Sequence, residues 1–172
     1  MSPGGEPGSG AASGSAAPAP APLRPTLTPA VEWVAYAGML PFLLALVAVA
    51  MAPGLEQREL GQRLALGYGA AILSFIGAVH WGLALGGRWS WSVSVILGAI
   101  LPAVAATLAL LAGGRRGLGL LIVAFGLFWL YEHHWRAAQL PADYLALRRN
   151  LTLLVCTSLV LILFAAERAG LG

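Results

Sequence analysis

The chain has 172 residues, room for one domain, and 10% of them are charged while 59% are hydrophobic, with a mean hydropathy of +0.80. A water-soluble domain carries roughly 25% charged residues, so these values point to a chain whose main solvent is lipid. The net charge of +3 comes from arginine without any lysine, and the arginines flank apolar blocks instead of clustering with aromatics, which argues against nucleic acid as a partner. One cysteine, Cys156, lies inside an apolar block and excludes both an intrachain disulfide and a cysteine-based zinc site.

Residues 1–29 are rich in Gly, Ser, Ala and Pro, a composition that buries too little apolar surface to offset the entropy of ordering. They read as a disordered tail. The first basic residue is Arg24 and no apolar stretch precedes it, so neither a secretory signal nor an arginine-rich transit peptide is expected. Residues 30–172 form the membrane domain. A hydrocarbon core about 30 Å thick is crossed by roughly 20 helical residues, and span one fits at about 33–52, with Pro41 expected to kink it and Pro53-Gly54 to end it. Glu56, Arg58, Glu59 and Arg63 follow in a polar connector over 55–63 whose i,i+3 and i,i+4 spacings suit a short solvated helical turn. Span two runs about 64–85. After a Gly86-Gly87-Arg88 turn, Trp89 and Trp91 sit where indoles favour the headgroup region. Span three covers about 92–112, and the Gly113 to Arg116 turn leads to span four at about 117–135, whose end carries Phe128, Trp129, Tyr131 and Trp135 as an aromatic belt. Span five covers about 145–166, with Pro141 placed to start its helix at the interface. An all-α bundle of about five transmembrane helices results, with four spans plus an interfacial hairpin as the alternative. Arginines divide five to five between the two sides, so the positive-inside rule leaves orientation open.

Ala70, Ser74, Ala78, Gly82 and Gly86 recur every fourth residue in span two, a small-residue seam that lets another backbone approach, within the bundle or between subunits. Ionisable groups inside a bilayer are functional candidates by default, which singles out His80. His133 lies equally far into span four, which runs parallel to span two, so both histidines are expected at similar depth in one leaflet. Glu32, Trp33, Tyr36, Glu132, His134 and Arg148 gather at the same face. Two histidines from different helices could ligate a metal or a haem, and His80 and His133 are the candidates. Against this, there is no HExxH motif, and His133 and His134 point about 100° apart on a helix. The simpler expectations are that His80 hydrogen-bonds within the bundle and that His133 and His134 meet water at the interface. Arg148 and Arg149 are either snorkelling anchors or, for Arg148, the partner of Glu132 or Glu32 in a buried network. No P-loop, dinucleotide fingerprint, nucleophile elbow or zincin motif occurs.

Three segments, Tyr36 to Phe42 (YAGMLPF), Tyr68 to Leu85 (YGAAILSFIGAVHWGLAL) and Leu140 to Thr152 (LPADYLALRRNLT), together resemble the transmembrane protein 69 family. These are small multi-pass proteins of bacteria and mitochondria catalogued as a domain of unknown function. The resemblance covers about 33–163 and is most specific in the segment around His80. It directs interest to Ser74, Phe75, Gly77, His80, Trp81 and Gly82, and to Pro141, Tyr144, Arg148 and Thr152. Asp143 departs from the Trp expected before Tyr144 and makes that connector more polar. The family implies a fold and no established activity.

The leading expectation is a non-enzymatic interaction or assembly factor of a bacterial inner (cytoplasmic) membrane, with the lipid bilayer and a membrane-protein partner or a second copy as its contacts and no cofactor. The alternatives are a small solute or proton-linked transporter using His80 and the Pro41 kink, and a metal- or haem-binding redox protein using His80 and His133. The Ala, Gly and Arg bias without lysine suggests a bacterial, GC-rich origin.

Overall fold

A computed structural model describes residues 28–136 and 140–170. Most of the tail read as disordered therefore lies outside the described residues. Among those described, the regular structure is entirely helical, and five helical stretches are long and apolar enough to cross a membrane. The chain is an all-α, multi-pass bundle.

The first crossing is made of two helices, α1 (Pro29–Ala37) and α2 (Leu40–Met51). Pro41 has no N–H and leaves the Ala37 carbonyl without its helical donor. The helix breaks at Gly38-Met39, one turn before the proline, because the Phe42 N–H donates to the Met39 carbonyl at 3.1 Å instead of reaching Gly38. The Tyr68 hydroxyl donates to the Gly38 carbonyl at 3.0 Å, so a neighbouring helix meets the backbone group that the break releases. The kink expected at Pro41 is thus a break, and Pro41 itself sits in the first turn of α2, where a missing N–H costs least.

The connector expected between spans one and two is not separate. Helix α3 (Leu55–Leu85) runs unbroken for 31 residues, about 46 Å at 1.5 Å per residue, and its first two turns stand clear of a hydrocarbon core of about 30 Å. The chain reverses at Pro53-Gly54, where the Arg58 Nε donates back to the Ala52 carbonyl at the end of α2 (2.7 Å). Helix α4 (Val93–Ala112) starts with Ser92 accepting from the Val95 N–H at 3.4 Å. A single residue, Gly113, joins it to α5 (Gly114–Tyr131). Its φ of 61° and that of Gly114 (46°) lie in the left-handed region, which only glycine enters at little cost. A π-helical turn, Glu132–Arg136, extends α5, and α6 (Ala142–Arg168) follows Pro141 at its cap.

Helix α3 is central, packing on α2, α4, α5 and α6. The core joins Phe42, Ala45 and Val49 of α2 to Leu73 of α3, Leu118, Leu121 and Phe125 of α5, and Leu159 and Ile162 of α6. Small residues set the spacing. A Cβ at Gly77 would stand 2.9 Å from the Ala99 carbonyl oxygen and 3.0 Å from the Pro102 ring, so α3 and α4 touch backbone to backbone there. In lipid, where apolar side chains lose nothing by facing solvent, such close packing is a main source of cohesion.

Candidate functional site

On α3, α5 and α6 the buried side recurs at alternating three- and four-residue steps: Leu73, Gly77, His80 and Ala84; Leu121, Phe125, Phe128 and Glu132; Arg148, Thr152, Val155, Leu159 and Ile162. At one end of the bundle these stripes reach polar groups. The end of α3, the start of α4, the end of α5 and the start of α6 meet there because consecutive spans are antiparallel.

Glu132 and Arg148 meet inside this end, with Arg148 Nε 3.1 Å from Glu132 Oε2 and side-chain exposures of 8% for the arginine and 2% for the glutamate. The contact is an ion pair short of hydrogen-bond alignment. Arg148 Nη1 donates to Thr152 Oγ1 one turn along α6, at 3.2 Å, and the guanidinium carbon lies 5.8 Å from the centre of the Phe128 ring, within cation–π range. Tyr144, one turn earlier, is within electrostatic reach of both charges. Water is largely excluded from the pair, so the attraction between its members is little screened.

His80 also packs against Phe128. The residue is 1% exposed, and its ring meets Trp89 (5.2 Å between ring centres) and Phe128 (5.3 Å) edge to face, with Tyr131 at 5.9 Å. Gly98 of α4 makes room for this group, since a Cβ there would stand 2.9 Å from the Tyr131 hydroxyl and 3.1 Å from His80 Cδ2. The Tyr131 hydroxyl donates to the Ser94 carbonyl at 2.7 Å and ties α5 to the first turn of α4. Phe128 therefore connects two clusters, His80 with its rings and Arg148 with its carboxylate. The outer wall of the ring cluster, at Ser94, Gly98, Phe128 and Tyr131, forms one end of a groove of about 460 Å³ between α4 and α5.

Of the residues singled out in the sequence, His80, Tyr144, Arg148 and Thr152 come together, and Glu132 is the carboxylate that Arg148 meets. Glu32 is exposed, as is Arg149, the latter in keeping with an interfacial anchor. His133 and His134 are exposed on the π-helical turn, His133 stacking on Trp129 at 5.4 Å. Their equal depth with His80 does not bring His133 and His80 to a common centre, because one faces outward and the other is enclosed by rings. Among the described residues no group of three or more His, Cys, Asp or Glu side chains could hold a metal ion. Trp81 is half-exposed against Trp91 (5.1 Å), and the Ser74 hydroxyl donates to the Ala70 carbonyl of its own helix at 2.9 Å. The small-residue seam leaves the bundle as it rises: Ala70 is buried and Ser74 partly so, whereas Ala78, Gly82 and Gly86 are exposed.

Phe128, Tyr131 and Trp89 are parts of the site that reading them as headgroup aromatics overlooked. For Phe128 the signal was available, since it continues the three-and-four spacing of Leu121 and Phe125 toward Glu132. Gly98 and Trp89 carry no such signal, because their places depend on how α4 leans on α3. Chemically, the arrangement holds a charge pair and an imidazole away from water and locks four helix ends together.

The family described as Protein of unknown function (DUF3429) matches residues 27–164. No curated protein and no solved structure matches the chain.

Proposed function

We propose, for a chain that belongs to the DUF3429 family of proteins of unknown function, a non-enzymatic role as an interaction or assembly factor, in which the outer face of α3 receives a transmembrane helix of a partner protein. One observation carries this reading. Outward positions on α4 hold Leu97, Ile100, Leu101, Val104 and Leu108, and those on α6 hold Leu153, Leu154, Leu161 and Phe164, side chains that fill space against lipid. The outward positions of α3 carry two pairs of small residues, Gly67 with Ala71 and Ala78 with Gly82, on either side of the exposed ring of Phe75, and a Cβ at Gly67 or Gly82 would meet nothing within 4 Å. Small residues four apart on an exposed membrane helix leave its backbone open to a second helix. The outer part of the seam, Ala78 and Gly82, supplies the second of those pairs. The membrane in question is, on this reading, a bacterial cytoplasmic one, in line with an arginine-rich, lysine-free composition. The resemblance to the transmembrane protein 69 family belongs to the same reading and supports it with a fold and no activity.

Gly82→Leu and Ala78→Leu test it. Neither is expected to lower stability by more than about 0.5 kcal/mol, as for surface substitutions away from any packed contact, while the native complex in membrane extracts falls to the size of the isolated chain. A complex of unchanged size would overturn the proposal. The rival readings answer to other measurements: a solute or proton-linked carrier to substrate-dependent thermal stabilisation lost in His80→Ala, and a redox protein to an absorption band or bound metal lost in the same variant.

A further inference from the structure

The end of the bundle opposite His80 carries five arginines: Arg58, Arg63, Arg115, Arg116 and Arg168. Two of them have carboxylate partners, Arg63 with Glu59 at 3.2 Å and Arg115 with Glu167 at 3.8 Å. Arg58 and Arg168 have none within 4 Å among the described residues, and these two line one cavity of about 560 Å³ between α2 and α6. Below them its walls are apolar, made by Leu46 and Ala50 of α2 and Leu161 and Phe164 of α6. The two charges sit at the level where the helices end and the walls lie within the spans, so the cavity is cationic at the headgroup level and apolar at acyl-chain depth.

Arg58 is held in place by its backbone contact. Its Nε donates to the Ala52 carbonyl at 2.7 Å, which fixes the plane of the guanidinium and leaves both terminal nitrogens for another acceptor. Arg168 stands on the last turn of α6. A phosphate diester accepts hydrogen bonds from two guanidinium groups at once, and basic pockets between transmembrane helices are suited to anionic headgroups. We propose that Arg58 and Arg168 hold the phosphate of one anionic phospholipid, with an acyl chain lying along Leu46, Ala50, Leu161 and Phe164 between α2 and α6. The occupant is a lipid and not a soluble anion because most of the cavity wall is apolar and lies at membrane depth. The site is independent of the helix-docking face on α3.

Native mass spectrometry of the full chain, released from detergent with phosphatidylglycerol or phosphatidylcholine of identical acyl chains, tests the proposal. Phosphatidylglycerol is expected to give a single-lipid adduct that phosphatidylcholine does not. Arg168→Gln changes an exposed side chain that makes no hydrogen bond or ion pair among the described residues and is expected to weaken that adduct about fivefold, the effect of one basic residue at an anionic surface. Arg116→Gln, an exposed arginine away from the cavity, is expected to leave it unchanged. Ala50→Phe keeps both arginines and fills the groove, and is expected to abolish the adduct. Equal retention of both lipids, equal weakening by Arg168→Gln and Arg116→Gln, an adduct indifferent to Ala50→Phe, or displacement by millimolar inorganic phosphate would each overturn the proposal. The last would reduce the site to a surface anion contact.

Discussion

Arg148 with Glu132, and Arg63 with Glu59, are the same chemistry at opposite ends of one bundle. The first pair is 8% and 2% exposed and bridges α6 to the end of α5. The second is 79% and 51% exposed and lies along one face of α3, four residues apart. At the outer pair water and salt screen the attraction, and two long side chains lose rotamer freedom to make it, so the net gain is small. At the inner pair the cost of desolvation has already been met by the fold, and each charge depends on the other to remain buried. The inner charges thus act as an address. They specify which helix ends meet and in what register, while the outer ones keep the ends of the helices wet.

Breaking the inner pair is therefore expected to have the largest effect. Arg148→Met or Glu132→Leu alone should cost about 3–5 kcal/mol in unfolding measured in detergent, whereas the two combined should recover most of the loss. If the double variant were as unstable as the two losses added together, the pair would not be acting as a unit. A smaller effect at the same end sharpens the comparison. Tyr131→Phe deletes the hydroxyl that donates to the Ser94 carbonyl at 2.7 Å and is expected to cost about 1 kcal/mol, the usual worth of a neutral hydrogen bond. The smallest belongs to the outer end, where Arg63→Gln should shift stability by no more than about 0.5 kcal/mol and less still at high salt. A cost for Arg63→Gln near that of Arg148→Met would erase the distinction between the two ends.

Much of the bundle was legible in the sequence because bilayer thickness imposes a length that apolar blocks must meet. Spans three and four begin and end within a few residues of where Val93–Ala112 and Gly114–Trp135 cross. What escaped were features set by one helix acting on another. Nothing in the composition of 55–63 distinguishes a separate polar turn from the projecting foot of a 31-residue helix. At the break at Gly38-Met39 the freed carbonyl is met by Tyr68 from across the bundle, a contact that the sequence around Pro41 does not reveal. The seam illustrates a limit of reading by strict period. A step of four residues turns a helix about 40° past a full revolution, so the five positions from Ala70 to Gly86 sweep about 160°. Ala70 therefore faces the core while Gly82 faces outward. The buried stripe instead alternates steps of four and three, which holds a side in place, and this rhythm carries Glu132, Arg148 and His80 inward. Arg148 was read either as a snorkelling anchor or as a buried partner, and its place one step of four before Thr152 and seven before Val155 is what separates it from Arg149.

A scan of photo-crosslinking residues along α3 in native membranes probes the proposed seating of a partner helix on the outer face of α3. Positions 67, 71, 78 and 82 are expected to give the same discrete protein adduct, with positions 73, 77 and 84 on the buried side and positions 100 and 104 on α4 giving none. Adducts that ignore the helical period, or a period centred on α4, would contradict the account.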